Sequence, residues 1–229
     1  MMPDEMGLTD FYRSAIAKKA VMAVTGLILF GFVLVHMVGN LKLYMGPEHI
    51  NEYAHFLRVA GEPLVPAMTL LWIARIVLLV AVVLHIHSAW SLTMMNREAR
   101  PVDYRDRGFA KATYAARTMR WGGVIIVLFV IYHLLHLTTG NAHHDFVPND
   151  VYHNMVSGFQ IWWVSALYVV ANLALGLHLF HGLEAMFTSM GWTNPSYESL
   201  IRTGATVFAV VVTAGNLTFP LFVLLGFVR

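Results

Sequence analysis

Cysteine is absent from the 229 residues. That excludes disulfides, zinc–thiolate sites, cysteine-held iron–sulfur clusters and thioether-attached haem on this polypeptide. Charge is scarce as well. Asp, Glu, Lys and Arg make up 12% of the chain, about half of what an ordinary soluble domain carries. Hydrophobic residues reach 58%, so the composition is that of an integral membrane protein. The stretch 140–159 has no Lys or Arg, and basic residues elsewhere sit in short connections between apolar runs, which gives nucleic-acid binding no support. In place of thiols and charges, the chain has twelve histidines.

Five apolar runs lie near or above the ~20 residues that a bilayer core requires: 20–41, 64–93, 121–139, 160–188 and 204–228. They predict an all-α integral membrane fold, five transmembrane helices in one bundle, with residues 1–229 forming a single domain. The polar stretch 1–19 resembles the start of a signal peptide. The run after it is too long for an h-region and lacks a small-residue cleavage site, which predicts an uncleaved first span. Six of the eight prolines fall outside the spans. Pro66 stands at the mouth of the second, where a first-turn proline is harmless. Pro220 alone lies well inside a span, where neighbouring helices can satisfy the freed carbonyl.

The basic residues set the orientation. Arg13, Lys18 and Lys19 precede the first span; Arg97, Arg100, Arg105, Arg107, Lys111, Arg117 and Arg120 fill the second connection; Arg202 lies in the fourth. The first connection has only Lys42 and Arg58. This bias predicts a cytoplasmic N-terminus and a C-terminus outside.

Seven histidines fall within spans: His36 in the first, His85 and His87 in the second, His133 and His136 in the third, His178 and His181 in the fourth. An unpaired polar group in an apolar medium costs roughly 2–7 kcal/mol, so repetition on four consecutive spans needs one explanation. With the predicted orientation, His36 and His133 lie near the outer surface, and His85 and His178 near the cytoplasmic side. At 1.5 Å per residue, His133 is roughly 20 Å and His178 roughly 15 Å from the inner ends of their helices. The four therefore sort into two layers, one pair per layer. Two imidazoles facing each other across a bundle suit a low-spin haem b with both axial positions filled. Two stacked haems would conduct electrons across the membrane. Gly26, Gly31, Gly122, Gly123, Gly176 and Gly182 would let a flat macrocycle approach the backbones. His87 lies about 200° around its helix from His85, so the two cannot face one haem. His136 and His181, each three residues after a first-choice ligand, are candidates for binding haem propionates or for being ligands themselves. A histidine-lined metal transporter is the alternative of another class. Such a pathway usually brings carboxylates or thiols, and here only Glu184 lies near a span end.

At these residues the chain resembles the cytochrome b membrane-anchor subunit of succinate:quinone oxidoreductases, the succinate dehydrogenase/fumarate reductase family, in its five-helix, single-anchor, two-haem type. The resemblance rests on HMVGN after the first span, LHIHSAWSL ending the second, YHLLHLTTG ending the third and LHLFHGLEAMF in the fourth. It implies His85 and His178 as ligands of an inner haem b, and His36 and His133 as ligands of an outer haem b. It also implies flavoprotein and iron–sulfur partner subunits on the cytoplasmic side, membrane quinone (menaquinone, for the two-haem type) as substrate, and a multi-pass location in a prokaryotic inner membrane. Catalytic residues for succinate are not expected on this chain. Succinate oxidation and fumarate reduction are both open to such an anchor. A haem b anchor of another quinone-linked dehydrogenase or a hydrogenase would share the histidine pattern.

The remaining histidines, His49, His55, His143, His144 and His153, all fall in the two outward connections. Groups titrating near neutrality suit the proton exchange that accompanies quinone chemistry, which makes Glu62, His55, Glu48 and His49 candidates for a quinone or proton site; solvated loop residues are the plainer account. Arg75, the one cation inside a span, is a candidate partner for an outer-haem propionate or a quinone-site group, or it snorkels to the headgroups. The six tryptophans lie near span ends, as interfacial anchors do.

Overall fold

Five helices form the body of the molecule because each apolar run, once in lipid, must satisfy its backbone groups internally. The structure, a computed structural model, describes residues 12, 14–99 and 111–229, with backbone alone for 111–118. Helix α1 is Ala15–Asn40, capped by the Ser14 side chain accepting from the Ala17 N–H. It continues as a 3-10 turn, Leu41–Met45, into the short α2, Pro47–Val59. Then follow α3, Thr69–Glu98; α4, Lys111–His133, prolonged by a π turn at Leu134–Thr138; a short α5, Val151–Phe159; α6, Trp162–Ser189; and α7, Glu198–Leu224. Helices α1, α3, α4, α6 and α7 are long and apolar enough to cross a membrane, and no strand occurs among the described residues.

The boundaries depart from the expected runs for local reasons. The second span begins at Thr69 rather than 64, because Pro66 disfavours helix in the residue before it and Met68 sits at φ 68°. It runs on to Glu98, since polar helix formers extend it beyond the apolar stretch. The first and third connections hold α2 and α5, which hydropathy alone did not reveal. Both are short, and proline at the first turn starts one while Asp150 caps the other. Pro220 sits inside α7, which continues past it to Leu224. Arg13, Arg100, Arg105 and Arg107 lie outside the described residues, as do the side chains of Lys111 and Arg117.

Packing is uneven. Helix α1 lies along α3, α4 along α6, and α6 along α7, while α2 and α5 pack on each other at the loop-rich end. The core runs through that end and between α6 and α7, through Leu43, Ile50, Phe159, Val164, Leu179 and Val212. Gly176 lets α6 meet α7 closely, since a Cβ there would collide with Thr213. Few residues of α3 and α4 are buried; their exposed Leu, Ile and Val side chains suit contact with lipid. All six tryptophans are exposed.

One polar clasp ties α2 to α5. Asn51 Nδ2 donates to Asp150 Oδ1 at 2.9 Å, and Asn51 Oδ1 accepts the Val151 and Tyr152 N–H groups at 2.9 and 3.1 Å. Asp150 Oδ1 also accepts the His153 N–H at 3.0 Å. That backbone bond is the main reason the Asp150 carboxyl is held below the usual carboxylate range; burial opposes it, and Asn51 and the His153 charge add to it. A carboxyl depressed in the folded state stabilises the fold fully above its unfolded pKa of about 3.9, and the contribution is lost as pH falls through the lower folded value. Asn51→Ala should cost about 1–2 kcal/mol, read as a lower Tm in detergent. Asp150→Ala should also lower Tm at neutral pH, with a deficit that shrinks below about pH 4.

Candidate functional site

The candidate residues are carried by two helix pairs, α1 with α3 and α4 with α6. Among the described residues, α1 and α4 share at most an isolated close backbone approach, and so do α3 and α6. Yet the histidines meet across that separation. His36 of α1 and His133 of α4 have ring centroids 5.8 Å apart at an interplanar angle of 88°. His85 of α3 and His178 of α6 have centroids 6.3 Å apart at 62°. The first pair lies toward the loop-rich end and the second toward the opposite end. Among the described residues neither pair is joined by a hydrogen bond, so hydrogen bonding does not explain the approach.

One ring of each pair has a hydroxyl partner on Nδ1. Thr25 Oγ1 lies 2.7 Å from the Val21 carbonyl, 3.2 Å from the Met22 carbonyl and 3.2 Å from His85 Nδ1. With its proton on a carbonyl, the hydroxyl accepts from His85 Nδ1–H, and Nε2 then carries the lone pair. His133 Nδ1 lies 3.2 Å from the Tyr168 hydroxyl. The described residues contain three buried side-chain polar atoms with no partner: His178 Nδ1, Ser88 Oγ and Tyr132 OH. All three belong to a candidate ligand or lie within three positions of one.

These features fit a metal held between paired imidazoles. Bonds of about 2 Å from each histidine nitrogen to a metal set the two nitrogens about 4 Å apart and the ring centroids about 6 Å apart, as in both pairs. Small residues stand where the expectation put two of them: Gly26 faces His85 Cε1 and Gly123 faces His178 Cε1. Gly182 faces Phe30, and Gly31 has open space beside it. Among the described residues no three His, Asp or Glu side chains converge on a common point that could hold a metal ion.

The other candidates are distributed differently. His87 is exposed, hydrogen-bonded to Tyr12 OH at 3.0 Å and stacked on that ring. His136 is 1% exposed, sits in the π turn, and bonds Tyr168 OH through Nδ1 at 3.0 Å. His181 lies against Phe180. The Arg75 guanidinium lies over the Trp72 ring, 5.0 Å from its centroid. Glu184 pairs with Arg202 at 3.7 Å. Glu48, His49, His55 and Glu62 are exposed at the loop-rich end, and their side chains make no hydrogen bond or ion pair among the described residues. Thr25 and Tyr168 do not stand out in the sequence, where a lone hydroxyl in an apolar run titrates nowhere near neutrality. The available signal was a polar side chain at the depth of a histidine on a neighbouring helix.

Residues 96–218, more than half of the chain, match the family model of the succinate dehydrogenase/fumarate reductase transmembrane subunit. His133 and His178 lie inside the matched segment; His36 and His85 precede it. No curated protein and no solved structure matches the chain.

Thr25→Val should remove the hydroxyl partner of the half-buried His85 Nδ1 at nearly constant side-chain volume. The expected cost is about 1–3 kcal/mol, seen as a lower Tm in detergent, whereas Thr206→Val, at an exposed site on α7, should change little.

Proposed function

The chain belongs to the succinate dehydrogenase/fumarate reductase transmembrane-subunit family, and on that footing we propose that it is a two-haem anchor that passes electrons between an iron–sulfur partner and membrane quinone. It is a multi-pass membrane subunit of that complex. His85 and His178 would hold an inner haem b, and His36 and His133 an outer one. The observation that carries this reading is the approach of two imidazole pairs at two levels, each with centroids about 6 Å apart as a shared metal requires, on helices that otherwise stand apart.

Haem iron so ligated supplies one-electron exchange at each level; the protein's part is to hold, orient and insulate. Thr25 fixes the tautomer that His85 needs, since a ligating histidine is oriented by what its other nitrogen bonds. The apolar flanks of α3 and α4 keep water from the pairs. Lys18, Lys19, Arg97, Arg120 and Arg202 gather at the end opposite the loops, which makes that end cytoplasmic. There the flavoprotein and iron–sulfur subunits dock, and the membrane is a prokaryotic inner membrane. The loop-rich end then faces outside, where menaquinone, taking up two electrons, also takes two protons. The exposed groups Glu62, His55, Glu48 and His49 serve that exchange.

The test is the complex expressed with its partner subunits. Purified material should show a reduced-minus-oxidised haem b spectrum with two haems per anchor. His36→Ala and His133→Ala should each remove one and the same haem, and His85→Ala and His178→Ala the other. A colourless complex, or one haem per anchor in the unmutated protein, would refute the proposal.

A further inference from the structure

Tyr168 is the hub of the loop-rich half of the site. It is 4% exposed, and its ring is gripped edge-on by Phe129 and Phe159 at centroid distances of 4.9 and 4.8 Å. Its single hydroxyl reaches two imidazoles at once, His133 Nδ1 at 3.2 Å and His136 Nδ1 at 3.0 Å. The π turn that begins at Leu134 widens the helix between these residues and lets both rings converge on one oxygen; such turns often mark functional sites.

A phenol has one proton. If the hydroxyl donated to His133, that ring would carry its own proton on Nε2, and Nε2 could not bind a metal. If it donates to His136, it accepts from His133 Nδ1–H and leaves His133 Nε2 bare. The surroundings of His136 hold its ring in place beside the hydroxyl. Its ring stacks on His143 at 4.6 Å and 20°, and Gly158 makes room for both, since a Cβ there would stand 2.7 Å from His136 Cε1 and 3.0 Å from His143 Nε2. His143 is fixed in turn, with Nε2 donating to the Asn154 carbonyl at 2.8 Å and Nδ1 accepting the Asp145 N–H at 3.0 Å.

We propose that Tyr168 is the positioning residue of the outer haem, accepting from His133 Nδ1–H while donating to His136 Nδ1, and that His136 is its acceptor and not a haem ligand. This rests on the two-haem reading above. Accepting the Nδ1 proton makes His133 a stronger donor to iron and favours the ferric state; loss of such a partner typically weakens metal binding 10–100-fold.

Tyr168→Phe keeps the ring and deletes the oxygen. In the purified complex, redox titration monitored in the visible should show the outer haem's midpoint potential raised and the inner haem's unchanged. Haem transfer to excess apomyoglobin should be about 10–100-fold faster for the outer haem only. His136→Ala should retain both haems. Wild-type potential and retention in Tyr168→Phe would overturn the proposal, as would a His136→Ala complex stripped of its outer haem. If the unmutated complex lacked two haems, the two-haem reading itself would fail. The unchanged inner haem shows that the variant has folded.

Discussion

An imidazole in hydrocarbon must spend both of its nitrogens, and the architecture is arranged around that requirement. Water is not there to do it. Four of the seven in-span histidines meet hydroxyls from elsewhere in the fold: Thr25 for His85, Tyr168 for His133 and His136, and Tyr12 for His87, while His178 Nδ1 has no partner among the described residues. Each hydroxyl serves Nδ1. For His85 and His133 that leaves Nε2, on rings that meet a second imidazole across the bundle. In each pair one imidazole has a hydroxyl at Nδ1 and the ring it meets, His178 or His36, has no hydroxyl partner among the described residues.

This meeting of rings requires helices that are held apart and still fixed in place. The molecule achieves it by pairing α1 with α3 and α4 with α6, then binding the pairs together elsewhere. The contact of α6 with α7 and the core beneath α2 and α5 carry most of the burial. Helix α7, which bears no histidine, acts as a buttress, and the Asn51–Asp150 clasp locks the two short helices over the loop-rich end. Helices α3 and α4 can then be thin-walled, with one side on a partner helix and the rest exposed to lipid.

An anchor subunit of a succinate dehydrogenase or fumarate reductase works at two surfaces, and the two ends of this bundle are built differently. The loop-rich end is compact, with a column of aromatic rings, Phe159, Tyr168, His136, His143 and His144, in successive contact. The opposite end bears Arg202 with Glu184, Lys18 over Tyr12, and the charges that flank the second connection. A compact loop-rich end and a charged opposite end give the two faces of this membrane subunit different chemistry.

The sequence by itself determined the class, the five spans and the two levels at which histidines meet, while leaving His136 and His181 as alternatives to His133 and His178. Hydrophobic length, the bias of Lys and Arg, and the depth of each histidine along a helix are one-dimensional quantities, and His36, His85, His133 and His178 could be sorted by them. What one dimension does not contain is rotation about a helix axis and the reach of a side chain from another helix. Those decided that His136 turns to Tyr168 and not to His36, that Thr25 serves His85, and that Gly176 spaces α6 from α7 while Gly123 stands at His178. They also produced α2 and α5, short helices kept in place by contact with each other and with the core, because an isolated helix of that length is marginal in water. A π turn and a shared hydroxyl are consequences of packing, and only the assembled bundle specifies them.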